Sequence, residues 1–143
     1  ISIRPFFIYN MPMKKILLLL LFVFSNLSYA EWDLIYKDAK IKSEYFLNLE
    51  NPIIIKQKVR VWTLENFLDL QKTNALEYHS VKSFVEFDCD ASKLRIMAYS
   101  LYGEKMANGK AIYSKGDSLE WMQINDDTVF SLYSKIACSE SKL

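Results

Sequence analysis

The chain has 143 residues, of which 18 are Lys or Arg and 17 are Asp or Glu, so its formal net charge is +1. A chain this close to neutrality lacks the basic excess of a nucleic-acid-binding domain, and we expect no nucleic acid as a partner. The length suits one domain of ordinary size.

The N-terminal segment has the pattern of a secretory signal peptide. Residues 1–30 contain three cations and no acidic residue. Nine apolar residues, 16–24, follow a pair of lysines, and the segment ends with Ser28-Tyr29-Ala30. A charged start, an apolar run and a small-x-small end are typical of cleaved export signals. The apolar run is shorter than the roughly 20 residues of a membrane-spanning helix, so we expect no stable membrane span after cleavage.

This signal divides the chain into three predicted parts. Met13 stands directly before the two lysines, so residues 1–12 are predicted to be an over-translated upstream segment, with Met11 as the alternative start. Residues 13–30 are the predicted signal peptide, and residues 31–143 are the exported domain. That domain keeps 15 cations against 17 acids, a net charge of −2. We expect to find it in the periplasm or at the cell surface.

Both cysteines of the chain, Cys89 and Cys138, lie in the exported domain. An even number of cysteines in an oxidising compartment predicts a disulfide. The bridge would close a loop of about 50 residues, which in the chain-entropy model stabilises the fold by roughly 4 kcal/mol. The alternative is two free, buried cysteines. Because a Cys-x-x-Cys spacing is absent, a thiol oxidoreductase is disfavoured.

Most of the exported domain has the pattern of β-strands. Odd-numbered positions from Val81 to Cys89 are apolar or small, while three of the four even-numbered positions are charged, which is typical of a half-buried strand. The predicted strands, in chain order, are 33–37, 44–49, 58–67, 81–89, 94–102, 109–115 and a short candidate at 120–124. Residues 90–93 are predicted to form a hairpin turn, and residues 69–79 a loop.

The pattern changes to helical spacing near the C-terminus. Val129, Leu132, Tyr133 and Ile136 lie on one face of a helix, and the residues 125–127 are candidate N-caps. Consecutive antiparallel strands followed by one helix predict an α+β domain. Its expected form is an antiparallel β-sheet of about five to six strands packed with a C-terminal α-helix, with one disulfide.

One helix covers only one face of such a sheet, so the other face should carry exposed apolar side chains. Strict alternation places Leu94, Ile96 and Ala98 inward and the intervening residues outward. The candidate contact face is therefore formed by Trp62, Phe84, Met97, Tyr99 and Leu101. We expect a homodimer to bury this face. The alternatives are a partner protein and a curled sheet whose own loops cover the face.

The sequence offers little catalytic chemistry, and we predict that the protein is not an enzyme and needs no cofactor or metal. His79 is the only histidine, and its neighbour Ser80 would point to the opposite side of a strand. Glu86 and Asp88 share a strand face and could serve acid–base chemistry, although a solvated pair is the commoner arrangement. Phosphate-binding glycine loops are absent from the sequence.

Cations outnumber acids locally between residues 37 and 60. If neighbouring strands align them, they could bind polyanions such as glycosaminoglycan or lipopolysaccharide; the alternative is a plain solvated face. These cations are Lys37, Lys40, Lys42, Lys56, Lys58 and Arg60.

The order of several landmarks resembles the bacterial surface-adhesin protein E family over residues 32–138. The landmarks are Trp32, the strand Val59-Arg60-Val61-Trp62-Thr63-Leu64 with Glu65-Asn66-Phe67, then Ser80-Val81-Lys82, Glu86-Phe87-Asp88-Cys89, Arg95, Tyr99, Gly109, Trp121 and Cys138. One departure is Asn125-Asp126-Asp127-Thr128, where family members often carry a Pro-Gly-Ser-like turn before the final helix.

The resemblance implies an antiparallel sheet with a C-terminal helix and bridged cysteines. It also implies an exported cell-envelope binding module, since the family's named member binds host extracellular-matrix and serum proteins. The alternative is a periplasmic structural or stress-related protein with no host-binding role. A shared fold does not transfer a ligand, and no binding residue is carried over.

Overall fold

The computed structural model describes residues 32–140, and the predicted upstream segment and signal peptide lie outside this range. The strands are β1 (Asp33–Asp38), β2 (Ser43–Ile55), β3 (Lys58–Thr73), β4 (Leu76–Asp88), β5 (Lys93–Tyr102), β6 (Ala111–Lys115) and β7 (Met122–Gln123). A short 3-10 turn spans Lys105–Ala107, and helix α1 spans Val129–Glu140. Within the described range, no helix is both long and apolar enough to cross a bilayer.

The strands form one antiparallel sheet in the order β1-β2-β3-β4-β5-β6, with β7 paired to the other end of the β5 edge. Each of the first five strands follows its neighbour through a short hairpin turn, which is why sequence order and spatial order agree. The predicted antiparallel sheet with a C-terminal helix is confirmed, with seven strands in place of five or six.

The predicted loop at 69–79 is wrong, because β3 and β4 continue to a two-residue turn at Asn74-Ala75. Asn74 has a φ of 47°, a left-handed conformation that Asn tolerates better than most residues. The segment lacks the Gly and Pro that usually mark a hairpin turn. Leu68 and Leu70 are also exposed, so the apolar residues of this segment do not mark a buried strand face.

Helix α1 covers one face of the sheet, here called the helix face. The buried core on this face consists of Leu47, Val59, Val61, Val85, Phe87 and Leu94 from the strands, with Tyr133 and Ala137 from the helix. Cys89 and Cys138 are joined by a disulfide, with their Cα atoms 5.7 Å apart. The predicted bridge is confirmed, and it ties the C-terminal turn of the helix to the end of β4.

The helix begins one residue later than the predicted caps. Thr128 Oγ1 accepts a hydrogen bond from the backbone N–H of Ser131 at 3.2 Å, which is the usual arrangement of an N-cap residue. The prediction of a cap among residues 125–127 is therefore wrong. Those residues are exposed and belong to the preceding turn.

The 3-10 turn packs against β3 and β4, and hydrogen bonds fasten it there. Asn66 Oδ1 accepts the backbone N–H of Met106 at 2.8 Å. Ser80 Oγ donates to the Glu104 carbonyl at 2.7 Å and accepts the N–H of Ala107 at 2.9 Å. His79 Nδ1 lies 2.9 Å from the carbonyl of Gly103. His79 and Ser80 therefore both anchor the chain that follows β5.

Candidate functional site

The sheet face away from the helix carries a group of aromatic and cationic side chains. The registers β3–β4 and β4–β5 place Trp62 opposite Phe84, and Glu86 between Arg60 and Arg95. Residues directly opposite each other on neighbouring strands project to the same side of a sheet. We call this surface the basic–aromatic face and define it by Lys58, Arg60, Trp62, Lys82, Phe84, Arg95 and Trp121.

The centre of this face is a three-residue stack. The ring centroids of Trp62 and Phe84 are 4.8 Å apart, within the range of favourable aromatic pairs. Lys82 Nζ lies 4.5 Å from the Trp62 ring centroid, which is a cation–π distance. Trp62 nevertheless keeps 38% of its surface exposed. A rigid, partly exposed Trp beside a cation is the composition found at the energetic centre of many protein interfaces.

Next to the stack lies a buried carboxylate held by two arginines. Glu86 is 1% exposed and accepts hydrogen bonds from Arg60 Nε and from Arg95 Nε, the latter at 2.9 Å. Burial alone would raise the pKa of Glu86, but the hydrogen bonds and charges of the two arginines outweigh it and lower that pKa. Glu86 is thus a fixed anion that orients two guanidinium groups.

A second tryptophan covers this charged cluster. The guanidinium carbon of Arg95 lies 4.7 Å from the Trp121 ring centroid, and Lys58 Nζ lies 5.3 Å from it. Trp121 therefore contacts the same guanidinium group that Glu86 holds by hydrogen bonding. Stacking of this kind favours Arg over Lys because the guanidinium group is planar and weakly hydrated.

The face carries a net positive charge. Its four cations face two carboxylates on the same strand side, Glu86 and Asp88. Glu86 is shared between two arginines, and Asp88 Oδ1 accepts the backbone N–H groups of Asp90 and Ala91 at the β4–β5 turn. Both carboxylates therefore have structural partners. Exposed Ile53 and Ile55, opposite Arg60 and Lys58 on β2, extend the face with apolar surface.

The structure separates the five residues of the predicted contact face. Trp62 and Phe84 are together on the basic–aromatic face. Tyr99 and Leu101 of β5 are not, because the β4–β5 pairing shifts by one residue at Met97, which is the unpaired residue of the bulge.

Downstream of that bulge, Tyr99 lies opposite Ser83 and Leu101 lies opposite Val81. Ser83 and Val81 are on the helix face, where Tyr99 also lines the space beside the helix. The predicted placement of Tyr99 and Leu101 on the outer face is therefore wrong. The bulge shifts the alternation of β5 by one position, so these side chains project to the same side as Leu94.

Sequence reasoning missed the charged cluster of Arg60, Glu86 and Arg95 and its cover by Trp121. The β4–β5 part depends on the exact position of the turn. The observed turn at 89–92 places Glu86 directly opposite Arg95, whereas the predicted turn at 90–93 would place it opposite Met97. The strand pattern instead suggests Glu86 and Asp88 as a possible acid–base pair. That interpretation is not supported, because Glu86 is buried against two arginines and Asp88 stabilises a turn.

A second site lies on the helix face, between the first turns of α1 and the sheet. It is a cavity of about 330 Å³, partly open to solvent. Glu65 lies at its wall, and burial raises the pKa of Glu65 above its ordinary value. Burial and the neighbouring Glu65 carboxylate raise the pKa of Tyr45, which also lines the cavity, to about 12.

Comparison with known proteins identifies the family. Among curated protein sequences, none matches the chain. Two solved structures of protein E from Haemophilus influenzae superimpose with TM-scores of 0.63 and 0.62. Each is 15% identical in sequence and covers 81% of this chain, and the matches cover 93% and 90% of those chains.

A further crystal structure, of protein E from non-typeable H. influenzae, gives a TM-score of 0.56 at 15% identity and covers 80% of this chain and 79% of that one. At such low identity these matches show a shared fold. The family model described as surface-adhesin protein E matches residues 32–139, which is most of the chain and nearly all of the described residues. The chain belongs to the surface-adhesin protein E family.

Proposed function

We propose that the chain is an exported, non-enzymatic binding module of the bacterial cell envelope, and that it binds a protein ligand through the basic–aromatic face. The observation that carries the proposal is the partly exposed Trp62, stacked on Phe84 and contacted by Lys82. Family membership supports a binding role. The structural roles of His79, Ser80 and Glu86 support the absence of catalysis.

The chemistry of the face favours a ligand with an acidic surface. Arg60 and Arg95 are held in place by Glu86 and Trp121, so little side-chain entropy is lost when they pair with a partner's carboxylates. Lys58 and Lys82 add positive charge to the same surface. Complementary charge of this kind speeds association and selects among partners. By family likeness, we propose a host extracellular-matrix or serum protein as the ligand.

The predicted homodimer remains a competing use of the same face. In a twofold dimer the same patch would meet its own copy, and the cations around Trp62 would face one another. Like charges in contact oppose association, so an acidic partner fits this face better than a second copy does. Sedimentation of the processed protein at micromolar concentration distinguishes the two uses of the face. We expect a monomer. A dimer that the Trp62→Lys substitution dissociates would instead assign the face to self-association.

Binding can be tested with a single substitution and a matched control. Surface plasmon resonance against immobilised extracellular-matrix and serum proteins should show saturable binding by the processed protein. Trp62→Ala should weaken that binding by at least about tenfold, the loss typical of a central interface Trp. Tyr113→Ala, which removes a similarly exposed ring outside this face, should leave binding unchanged. Equal binding by wild type and Trp62→Ala would exclude this face as the site.

Export is the second part of the proposal. Mass spectrometry of the extracellular or periplasmic protein should find Glu31 at the N-terminus, as expected for cleavage after Ala30. Protease treatment of intact cells should remove a surface-displayed protein and spare a periplasmic one. Protection from the protease would favour the alternative, a periplasmic structural or stress-related protein.

A further inference from the structure

The cavity between α1 and the sheet has the composition of a binding site for a small organic cation. Its floor crosses four strands and consists of Tyr45, Thr63, Glu65, Val81, Ser83, Val85, Ile96 and Tyr99. Val129, Phe130 and Tyr133 of the helix form its roof, and Leu119 closes one side. Most of this lining is apolar or aromatic, with one carboxylate.

The sequence explains why space is left here and not further along the helix. Towards Cys138 the helix packs on large side chains, including Leu47, Val59 and Phe87. Under its first turns the central strands present the small residues Thr63 and Ser83. The volume of about 330 Å³ lies at the lower end of the roughly 300–1,000 Å³ typical of ligand pockets. It suits a ligand of small size.

The Glu65 carboxylate in the cavity favours a ligand with a positive charge. Glu65 is only partly exposed, and none of the ion pairs formed by the described residues involves it. Tyr45 lies opposite it on β2, and the hydroxyl groups of Tyr45 and Ser43 donate hydrogen bonds to its carboxylate, but both hydroxyls are neutral and leave its charge uncompensated. A partly buried carboxylate without a cationic partner is costly, and a positively charged ligand would supply that partner.

The aromatic residues of the cavity indicate which kind of cation it would bind. Tyr45, Tyr99, Phe130 and Tyr133 line the same cavity, and the Phe130 and Tyr133 rings are 6.3 Å apart. Aromatic rings attract cations through their electron-rich faces, and several rings together suit methylated ammonium groups, which are bulky and weakly hydrated. We propose that this cavity binds a small ligand bearing a methylated ammonium group, with Glu65 as its counter-ion and the four aromatic side chains around it.

The pH dependence of such binding follows from the groups that face Glu65. Four titratable residues line the cavity: Tyr45 of β2, Glu65 of β3, Tyr99 of β5 and Tyr133 of the helix. Burial raises the pKa of each tyrosine, so all three stay neutral in acid and at neutral pH. Glu65 alone among them loses its charge as the pH falls. Cation binding should therefore weaken on acidification.

A matched pair of probes tests the proposal directly. Choline carries a trimethylammonium group, and 3,3-dimethylbutan-1-ol has the same shape without the charge. In NMR titrations of the processed protein, choline should shift the amide signals of Thr63, Glu65 and Tyr133. Its Kd should be at least about tenfold lower than that of the neutral alcohol, the factor produced by one added charge interaction of about 1.4 kcal/mol. Equal affinity for the two probes, or no binding of either, would overturn the proposal.

Variants separate the charge of the site from its shape. Glu65→Gln should remove the preference for choline while retaining any binding of the alcohol, and Phe130→Leu should weaken choline binding while the fold persists. Trp62→Ala, on the other face of the sheet, should leave choline binding unchanged, so this result is independent of the protein-binding proposal. A Glu65→Gln protein that binds choline as well as wild type would rule out the carboxylate as the counter-ion.

Discussion

Cys138, in the last turn of the helix, is bonded to Cys89, which directly follows β4 and lies 49 positions earlier in the chain. The bond joins the helix to the strand at the centre of the sheet, next to the core residues Phe87 and Leu94. The far end of the helix, which roofs the cavity, has no covalent tie to the sheet. The disulfide therefore positions the helix from one end only.

Removing this bond should destabilise the domain substantially. A double variant, Cys89→Ala with Cys138→Ala, is expected to lose about 2–5 kcal/mol of unfolding free energy, since the closed loop is long. Urea denaturation followed by circular dichroism measures the loss. Reducing agent should lower the stability of wild type and leave the double variant unchanged. A wild-type protein that melts identically with and without reductant would contradict a stabilising role for the bond.

Glu86 should contribute more to the free energy of unfolding than an exposed carboxylate on a strand would, because it is buried between two arginines. Glu86→Gln would remove the anion between Arg60 and Arg95, and we expect a cost of about 2 kcal/mol at pH 7, typical of hydrogen bonds to charged groups. Because the folded protein lowers the pKa of Glu86, this stabilisation is present above the unfolded pKa of about 4.3. It is lost as the pH falls through the folded pKa.

The control for Glu86 is Glu120→Gln, since Glu120 is exposed and a substitution there should change stability by less than about 0.5 kcal/mol. Denaturation at pH 7 and at pH 3 gives the comparison. The difference between wild type and Glu86→Gln should shrink at the lower pH. A difference that stays constant with pH would mean that the Gln side chain disturbs packing and that the lost charge is not the cause.

Much of the fold follows from local patterns in the sequence. The period-two pattern at 81–89, the polar turn at 90–93 and the helical spacing after Val129 each predict an element that the structure contains. The observed turn lies one residue earlier than predicted, at 89–92, and this position fixes the pairing of Glu86 with Arg95. Such elements can be predicted from a few neighbouring residues, because the geometry of a turn constrains the pairing of the strands beside it.

The outer face could not be predicted in the same way. The pairing of Arg60 with Glu86 depends on an irregularity between Asn66 and Gln71 that shifts the β3–β4 register. The extra residue at Met97 likewise moves Tyr99 to the helix face. A bulge shifts every later side chain of its strand, and nothing in the composition of either segment marks it. Candidate contact residues downstream of such a point were therefore placed on the wrong side.

The helix N-terminus offers a test of the cap that the structure assigns. Thr128→Ala would remove the hydroxyl that accepts the N–H of Ser131, and we expect a loss of about 1 kcal/mol. Asp126→Ala, in the exposed turn before the helix, should cost clearly less. Thermal melts of both variants provide the measurement. A larger loss in Asp126→Ala would return the capping role to the acidic turn.

Glu65 should destabilise the empty domain at neutral pH, because burial raises its pKa in the folded state. Between the unfolded pKa, about 4.3, and the raised folded pKa, the folded protein binds more protons than the unfolded one, so stability falls as the pH rises through this interval. Glu65→Gln, which has nearly the same shape and no charge, should therefore melt at a higher temperature than wild type at pH 7. The gap should narrow as the pH falls and close below about pH 3, where the wild-type carboxyl is protonated in both states. Glu77→Gln, at an exposed position, should show no such gain. If Glu65→Gln melts lower than wild type at pH 7, the carboxylate and its hydrogen bonds from Tyr45 and Ser43 stabilise the fold. The argument that Glu65 needs a cationic ligand as its partner would then fail.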